Sequence, residues 1–195
     1  MCFVKTIGST MSNQTNEPIL NSVNQWLDQV VIGLNLCPFA AKPFRDKQIR
    51  LSISHSTSDA NLLEDLQTEL NLLAESKPEN IETTLLIVPN MLADFYDYND
   101  FLEYVDALIE DNEWEGTFQV ATFHPNYQFG GTEPEDTENL TNRAPYPILH
   151  LLREESLENA IQHYPNPELI PERNIETVSG LTQEQKVALF PYLYK

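Results

Sequence analysis

The chain is poor in the features that usually announce a mechanism. It contains two cysteines, six glycines and four histidines, and it sets 11 basic residues against 30 acidic ones. Two cysteines, Cys2 and Cys37, cannot build a disulfide framework, and a reducing cytoplasm is the natural home of such a chain. No apolar run approaches the roughly 18 residues of a membrane span, and MCFVKTIGST at the start has no apolar signal region. The scarcity of lysine and arginine leaves a net charge of −19. Such a surface repels nucleic-acid phosphates and anionic membranes, so neither is expected as a partner. There is no Walker loop, dinucleotide fingerprint, nucleophile elbow or zincin helix. Serine hydrolase, nucleotide-dependent kinase and ordinary dehydrogenase chemistry lose most of their weight, and no cofactor is implied.

What is present fits one domain. The length of 195 residues and a hydrophobic content of 41% are ordinary for a globular chain with a sizeable core. Residues 1–15 read as a disordered tail, with Met11 as a second possible start, and residues 16–195 as a single α/β domain. Asn16 is placed to cap a first helix, in which Val23, Trp26, Leu27, Val30 and Val31 recur at helical spacing. Ile49, Leu51 and Ile53 alternate with polar residues, as in a half-buried strand. A leucine stripe from Leu62 to Leu73 marks a helix, with Ser58 as its cap. Thr83 to Val88 is a short apolar run that suits a strand buried on both faces. Phe101, Val105 and Leu108 mark a third helix, and Thr117 to Phe123 a third strand. Pro147 opens a fourth helix reaching about His163, and Thr182 with Gln185 forms a capping box for the last. The alternation predicts a small, mainly parallel sheet of about three strands flanked by helices, with extra helices at the carboxyl end. Ligands of open α/β sheets bind outside the carboxyl edge of the strands, which here delivers His55, Pro89-Asn90 and His124.

The stretch from Thr117 to Ser156 concentrates the chemistry. A strand ends at His124, a loop of roughly twenty residues follows, and the predicted fourth helix carries His150, Arg153 and Glu154. Loops this long in compact domains are uncommon and are often functional. On a helix, His150 and Glu154 share one face. With His124 they form either a two-histidine, one-carboxylate metal set or a hydrogen-bonded cluster. Cys37 precedes Pro38, and Cys-Pro-Phe resembles a glutaredoxin active site. Ala40 replaces the second cysteine, however, which excludes a dithiol cycle. Cys37 is then either a nucleophile at a helix start or a buried structural thiol. Arg143 and Arg153 either hold an anionic substrate or tie the loop to nearby acids. Tyr127, with Phe129 and Tyr146, either lines a pocket or packs the loop down.

Several segments together resemble the bacterial family known as domain of unknown function 1415. They are GLNLCPFA at 33–40, ETTLL at 82–86, the run from Asp94 to Leu102, FHPNYQF at 123–129, Thr141 to Ser156, and PERN at 171–174. Ala144 stands where the family pattern has serine, so a hydroxyl there is not essential. The resemblance implies one compact cytosolic domain and carries no residue roles. Two functions are therefore expected. One is a small enzyme acting on a small, anionic molecule, with His124, Cys37, His150 and Glu154 as catalytic groups and Arg143, Arg153 and Tyr127 binding substrate. The other is a non-catalytic binding or accessory protein whose 125–146 loop meets a protein partner.

Overall fold

A computed structural model describes residues 11–194, with side chains from 16 onward. Of the disordered tail predicted over 1–15, residues 1–10 lie outside the described residues. Backbone from Met11 to Trp26 forms α1, so the helix begins ahead of Asn16. The Asn16 amide does not cap it; its oxygen accepts from Nε2 of His55 at 2.8 Å. Leu27–Ile32 continues α1 as a wider turn, in which the Gly33 amide reaches back to Asp28. Such widened turns recur at functional sites.

The core is a sheet in the order β1-β2-β4-β3, made of Ile49–Ile53, Thr83–Ile87, Phe118–Phe123 and Ile148–Arg153 in chain order. β1 and β2 are parallel, whereas β4 runs antiparallel to both β2 and β3. The first three strands therefore point the same way, and the fourth, inserted between β2 and β3, opposes them. The chain is thus a mixed α/β single domain with four strands rather than three.

The fourth strand corrects the helix predicted from Pro147. Ile148, Leu149 and Leu151 are fully buried, because a strand in the middle of a sheet covers apolar layers on both faces. Apolar residues flank His150 on both sides, and so short a run has no period that separates strand from helix. Helix α5, Glu154–Gln162, begins only after it, with Glu154 and Glu155 in the first turn where acids suit the helix dipole. His150 and Glu154 therefore share no helical face.

Helices cover both sides. Leu62, Leu66, Leu70 and Leu73 of α3 (Asp59–Glu75) join Tyr98, Phe101 and Val105 of α4 (Phe95–Asp111) over Leu86, Leu149 and Leu151. Ser58 caps α3, and Asp94 accepts two amides at the start of α4. On the opposite face, α1 and its extension lay Val23, Trp26, Leu27 and Val30 over Leu85, Ile87 and Ile148. The short α2 (Ala41–Arg45), α6 (Ile170–Ser179) and α7 (Gln183–Leu189) complete the fold. The capping box between Thr182 and Gln185 is present.

Candidate functional site

A cavity of about 640 Å³ opens on the α1 face of the sheet, within the roughly 300–1,000 Å³ of typical ligand sites. The end of α1 and the widened turn supply Trp26, Leu27 and Val31 as one wall, and Cys37 to Pro43 forms a second. Ser156 to Ala160 of α5 closes it from the far side, with the sheet as floor. Gln48, Ile49, Glu82 and Thr83 line it from the starts of β1 and β2, so it lies toward their amino ends. That departs from the carboxyl edge expected of an open parallel sheet. Here that edge is closed by the 125–146 loop, where the His124 amide donates to Asn142 and the Ala144 amide returns to the His124 carbonyl.

His150 sits at the centre of the floor, opposite Leu85 on one neighbouring strand and Ala121 on the other. Its protonation pattern follows from Thr83. The Thr83 hydroxyl has one proton and donates it to the Leu151 carbonyl. The same oxygen lies 2.8 Å from Nε2 of His150, so Nε2 carries the hydrogen and donates to it. Nδ1 is left as a lone-pair acceptor with no partner among the described residues, on a ring that lines the cavity. Nδ1 is therefore the ring nitrogen left for a ligand. Burial pushes the His150 pKa down to about 4, so the ring is neutral at neutral pH.

Cys37 lines the same cavity as a free thiol. Burial pushes its pKa up, while bonds to the backbone of Phe39 and Ala40 pull it down less strongly. The thiol thus stays protonated beside two groups suited to receiving a thiolate. The segment is pinned from behind by Asn174 of α6, whose amide donates to the Leu36 carbonyl at 2.7 Å. Cys2 lies outside the described residues.

The other predicted site residues are placed elsewhere. His124 is fully buried on the α4 face, where its ring contacts Phe95 and Tyr98. Nε2 donates to the Leu92 carbonyl at 2.9 Å, and Nδ1 accepts from the Asn126 amide at 2.9 Å. Both nitrogens are spent, and His150 faces the opposite side of the sheet. The metal set of His124, His150 and Glu154 is not assembled, and no group of three metal-ligating side chains forms among the described residues. Glu154, at the start of α5, does not line the cavity.

Arg143 and Arg153 bind backbone carbonyls. Arg143 donates to the carbonyls of Tyr127 and Pro134, which straps the loop. Arg153 borders the cavity, but its guanidinium donates to Leu73, Ser76 and Ile81 at the carboxyl end of α3. Tyr127 packs on Phe95 and Phe129, away from the cavity. His55 is exposed.

Two structural residues escaped the sequence reading. Thr83 sets the His150 tautomer, and its signal was a polar residue opening an otherwise apolar strand. Asn139 is fully buried and holds the loop together, accepting from the Phe129 amide and the Thr132 hydroxyl and donating to Glu133. Nothing in the spacing singled it out.

The family whose model matches residues 18–188 is described as a protein of unknown function, DUF1415. That match spans most of the chain, and the chain belongs to this family. No curated protein and no solved structure matches it. No helix among the described residues is long and apolar enough to cross a membrane.

Proposed function

We propose that this member of the family is an enzyme acting on a small molecule held in the cavity, with His150 and Cys37 as its reacting groups. One observation carries the reading: the two residues come from distant parts of the chain and line one mainly apolar cavity of ligand size. A few polar groups converging in an apolar cleft is the usual composition of a substrate site.

The roles follow from the protonation states. A neutral thiol and a neutral imidazole line the cavity, not a thiolate–imidazolium pair. Each pKa unit separating the two groups opposes proton transfer by about 1.4 kcal/mol. Reaction therefore waits for substrate. A proton leaving the thiol or the substrate has an acceptor at Nδ1 of His150, and the amides of Phe39 and Ala40 receive negative charge on sulfur. Arg143 and Arg153 are committed to carbonyls, so the anionic substrate and its arginine clamp are given up. His124, Glu154 and Tyr127 are likewise given up as site residues. The alternative, a protein partner on the 125–146 loop, has less behind it: Tyr127 and Phe129 are half-buried and pack on each other.

The test is a turnover screen against neutral small molecules with wild-type, Cys37→Ser and His150→Phe proteins side by side. Melting temperature serves as the folding control. Loss of the same turnover in both folded variants supports the reading. A turnover untouched by both substitutions overturns it.

A further inference from the structure

We propose that the cavity selects an uncharged, mainly apolar molecule that donates one hydrogen bond, from a hydroxyl or N–H group, to Nδ1 of His150. This rests on the reading of the cavity as a ligand site and adds the chemical class of what enters it.

Three observations point to that class. The first is the fixed tautomer. Because Thr83 gives its proton to the Leu151 carbonyl, His150 must donate from Nε2 and can only accept at Nδ1. An acceptor lining a mainly apolar cavity is met best by a ligand that brings a donor to it, since an apolar ligand would cover it unpaired. The second is the lining: Trp26, Phe39 and Phe123 bring aromatic faces, and Leu27, Leu85 and Leu152 aliphatic ones. They suit a ring or a branched hydrocarbon body. The third is charge. Arg153 is spent on α3, and Lys42, on the outer wall, pairs with Asp46 at 3.2 Å. Glu82 also borders the cavity, within a chain of net charge −19. An anion would find the Arg153 donors committed to carbonyls and the Lys42 ammonium on an exposed pair, with no cation on the apolar floor beside His150. A cation would meet a neutral, desolvated floor.

Such a site discriminates more sharply than an apolar pocket can. A cavity that distinguishes ligands by one methylene gains a modest factor. One built to pair a hydroxyl or N–H rejects the analogue lacking it far more strongly, because its own polar group is left unpaired.

Phenol, anisole and benzoate separate the possibilities. They share a ring and differ in carrying a neutral donor, no donor, or a negative charge. Each is titrated into the full chain labelled uniformly with nitrogen-15, and binding is read from amide shifts of cavity residues and from the ring nitrogens of His150. Phenol is expected to bind at least about tenfold more tightly than anisole or benzoate. It should also move the Nδ1 resonance, which anisole leaves in place. His150→Phe should abolish the preference. Should that variant not fold, Thr83→Ser, which keeps the hydroxyl, must retain the preference. Equal binding of phenol and anisole at cavity residues overturns the donor inference and leaves the cavity reading standing. Tighter binding of benzoate overturns the neutral class. If none of the three perturbs cavity residues, the cavity reading itself fails and this inference with it.

Discussion

Removing one oxygen from Thr83 tests the description of the cavity floor. Thr83→Val keeps the shape of a side chain that is 7% exposed and deletes the hydroxyl that joins β2 to His150. Two groups lose a partner: the Leu151 carbonyl loses the hydroxyl's bond, and the His150 Nε2 hydrogen loses its acceptor. A buried donor left unpaired costs about 1–3 kcal/mol, and this sets the scale of the loss. For a domain of this size that is a fall in melting temperature of roughly 2–12 °C. The ring has one escape, which is to move its proton from Nε2 to Nδ1 and point a donor into the cavity. The substitution should then cost the low end of the range and exchange the polarity of the floor. Calorimetry gives the stability, and nitrogen-15 shifts of the His150 ring give the tautomer. Thr83→Ser is the control, since it keeps the hydroxyl and should change neither. A Thr83→Val protein with wild-type melting temperature and the proton still on Nε2 would refute the network and the acceptor role drawn from it.

The remaining predictions concern pH, two structural residues and the loop. The His150 pKa is lowered on folding, from an ordinary 6.5 to about 4, so the unfolded chain binds the proton more readily. Its contribution is complete above about pH 6.5 and is lost as pH falls toward 4, about 3 kcal/mol across that window. His124 is shifted in the same direction by burial. Urea midpoints measured from pH 7.5 to 4 should fall, and a folded His150→Phe protein should show a shallower fall. Arg153→Met should cost about 2 kcal/mol by uncapping α3, with phenol affinity within about twofold of wild type; a selective loss of ligand binding at unchanged stability would restore a substrate role. A methyl group on Gly33 would lie 2.3 Å from the Gln29 carbonyl oxygen. Gly33→Ala should therefore destabilise by about 1–3 kcal/mol, visible in chemical denaturation, and shift the amides of Leu27 and Val31. Asn139→Ala should speed amide exchange at Phe129, whose N–H it holds, and leave the sheet amides protected.

Where one face of an element is buried and the other wet, the sequence already revealed it. The stripe of α3 and the Thr182–Gln185 capping box rest on local signals, which one-dimensional patterns record. β1 is a strand as its alternation predicted, but it is half-buried throughout rather than on one face, since Arg50 and Ser52 meet the buried Glu69 of α3. β4 has no such contrast. Ile148, Leu149 and Leu151 are buried on both faces, and a proline at 147 suits a helix start as well as a strand end. The i, i+4 spacing of His150 and Glu154 favoured the wrong reading. The informative signal was Glu154-Glu155, the acidic first turn that marks where α5 begins. Cys37 and His150 were both legible as reactive residue types. Their meeting was not, because it depends on β4 entering the middle of the sheet and on α6 holding Leu36 from the side.

The misreading of the arginines has a different origin, in donor supply. The chain carries 30 acidic residues, which only accept hydrogen bonds when ionised, and 13 prolines, which have a carbonyl but no N–H. Buried carbonyls at loop turns and helix ends compete for few donors. A guanidinium offers five N–H groups in one rigid fork, more than any other side chain. Two of the five arginines go where carbonyls cluster, Arg143 to the loop and Arg153 to the end of α3, while Arg45 and Arg50 pair with Asp46 and Glu69. Trp26 and Tyr192 also give their single donors to a carbonyl, both meeting that of Arg143. The same reasoning gives the His150 lone pair its significance. It belongs to a ring whose one hydrogen is already committed to Thr83, and that ring lines the cavity. A fold short of donors leaves that acceptor open, and a donor arriving from outside the chain is what the arrangement can accommodate.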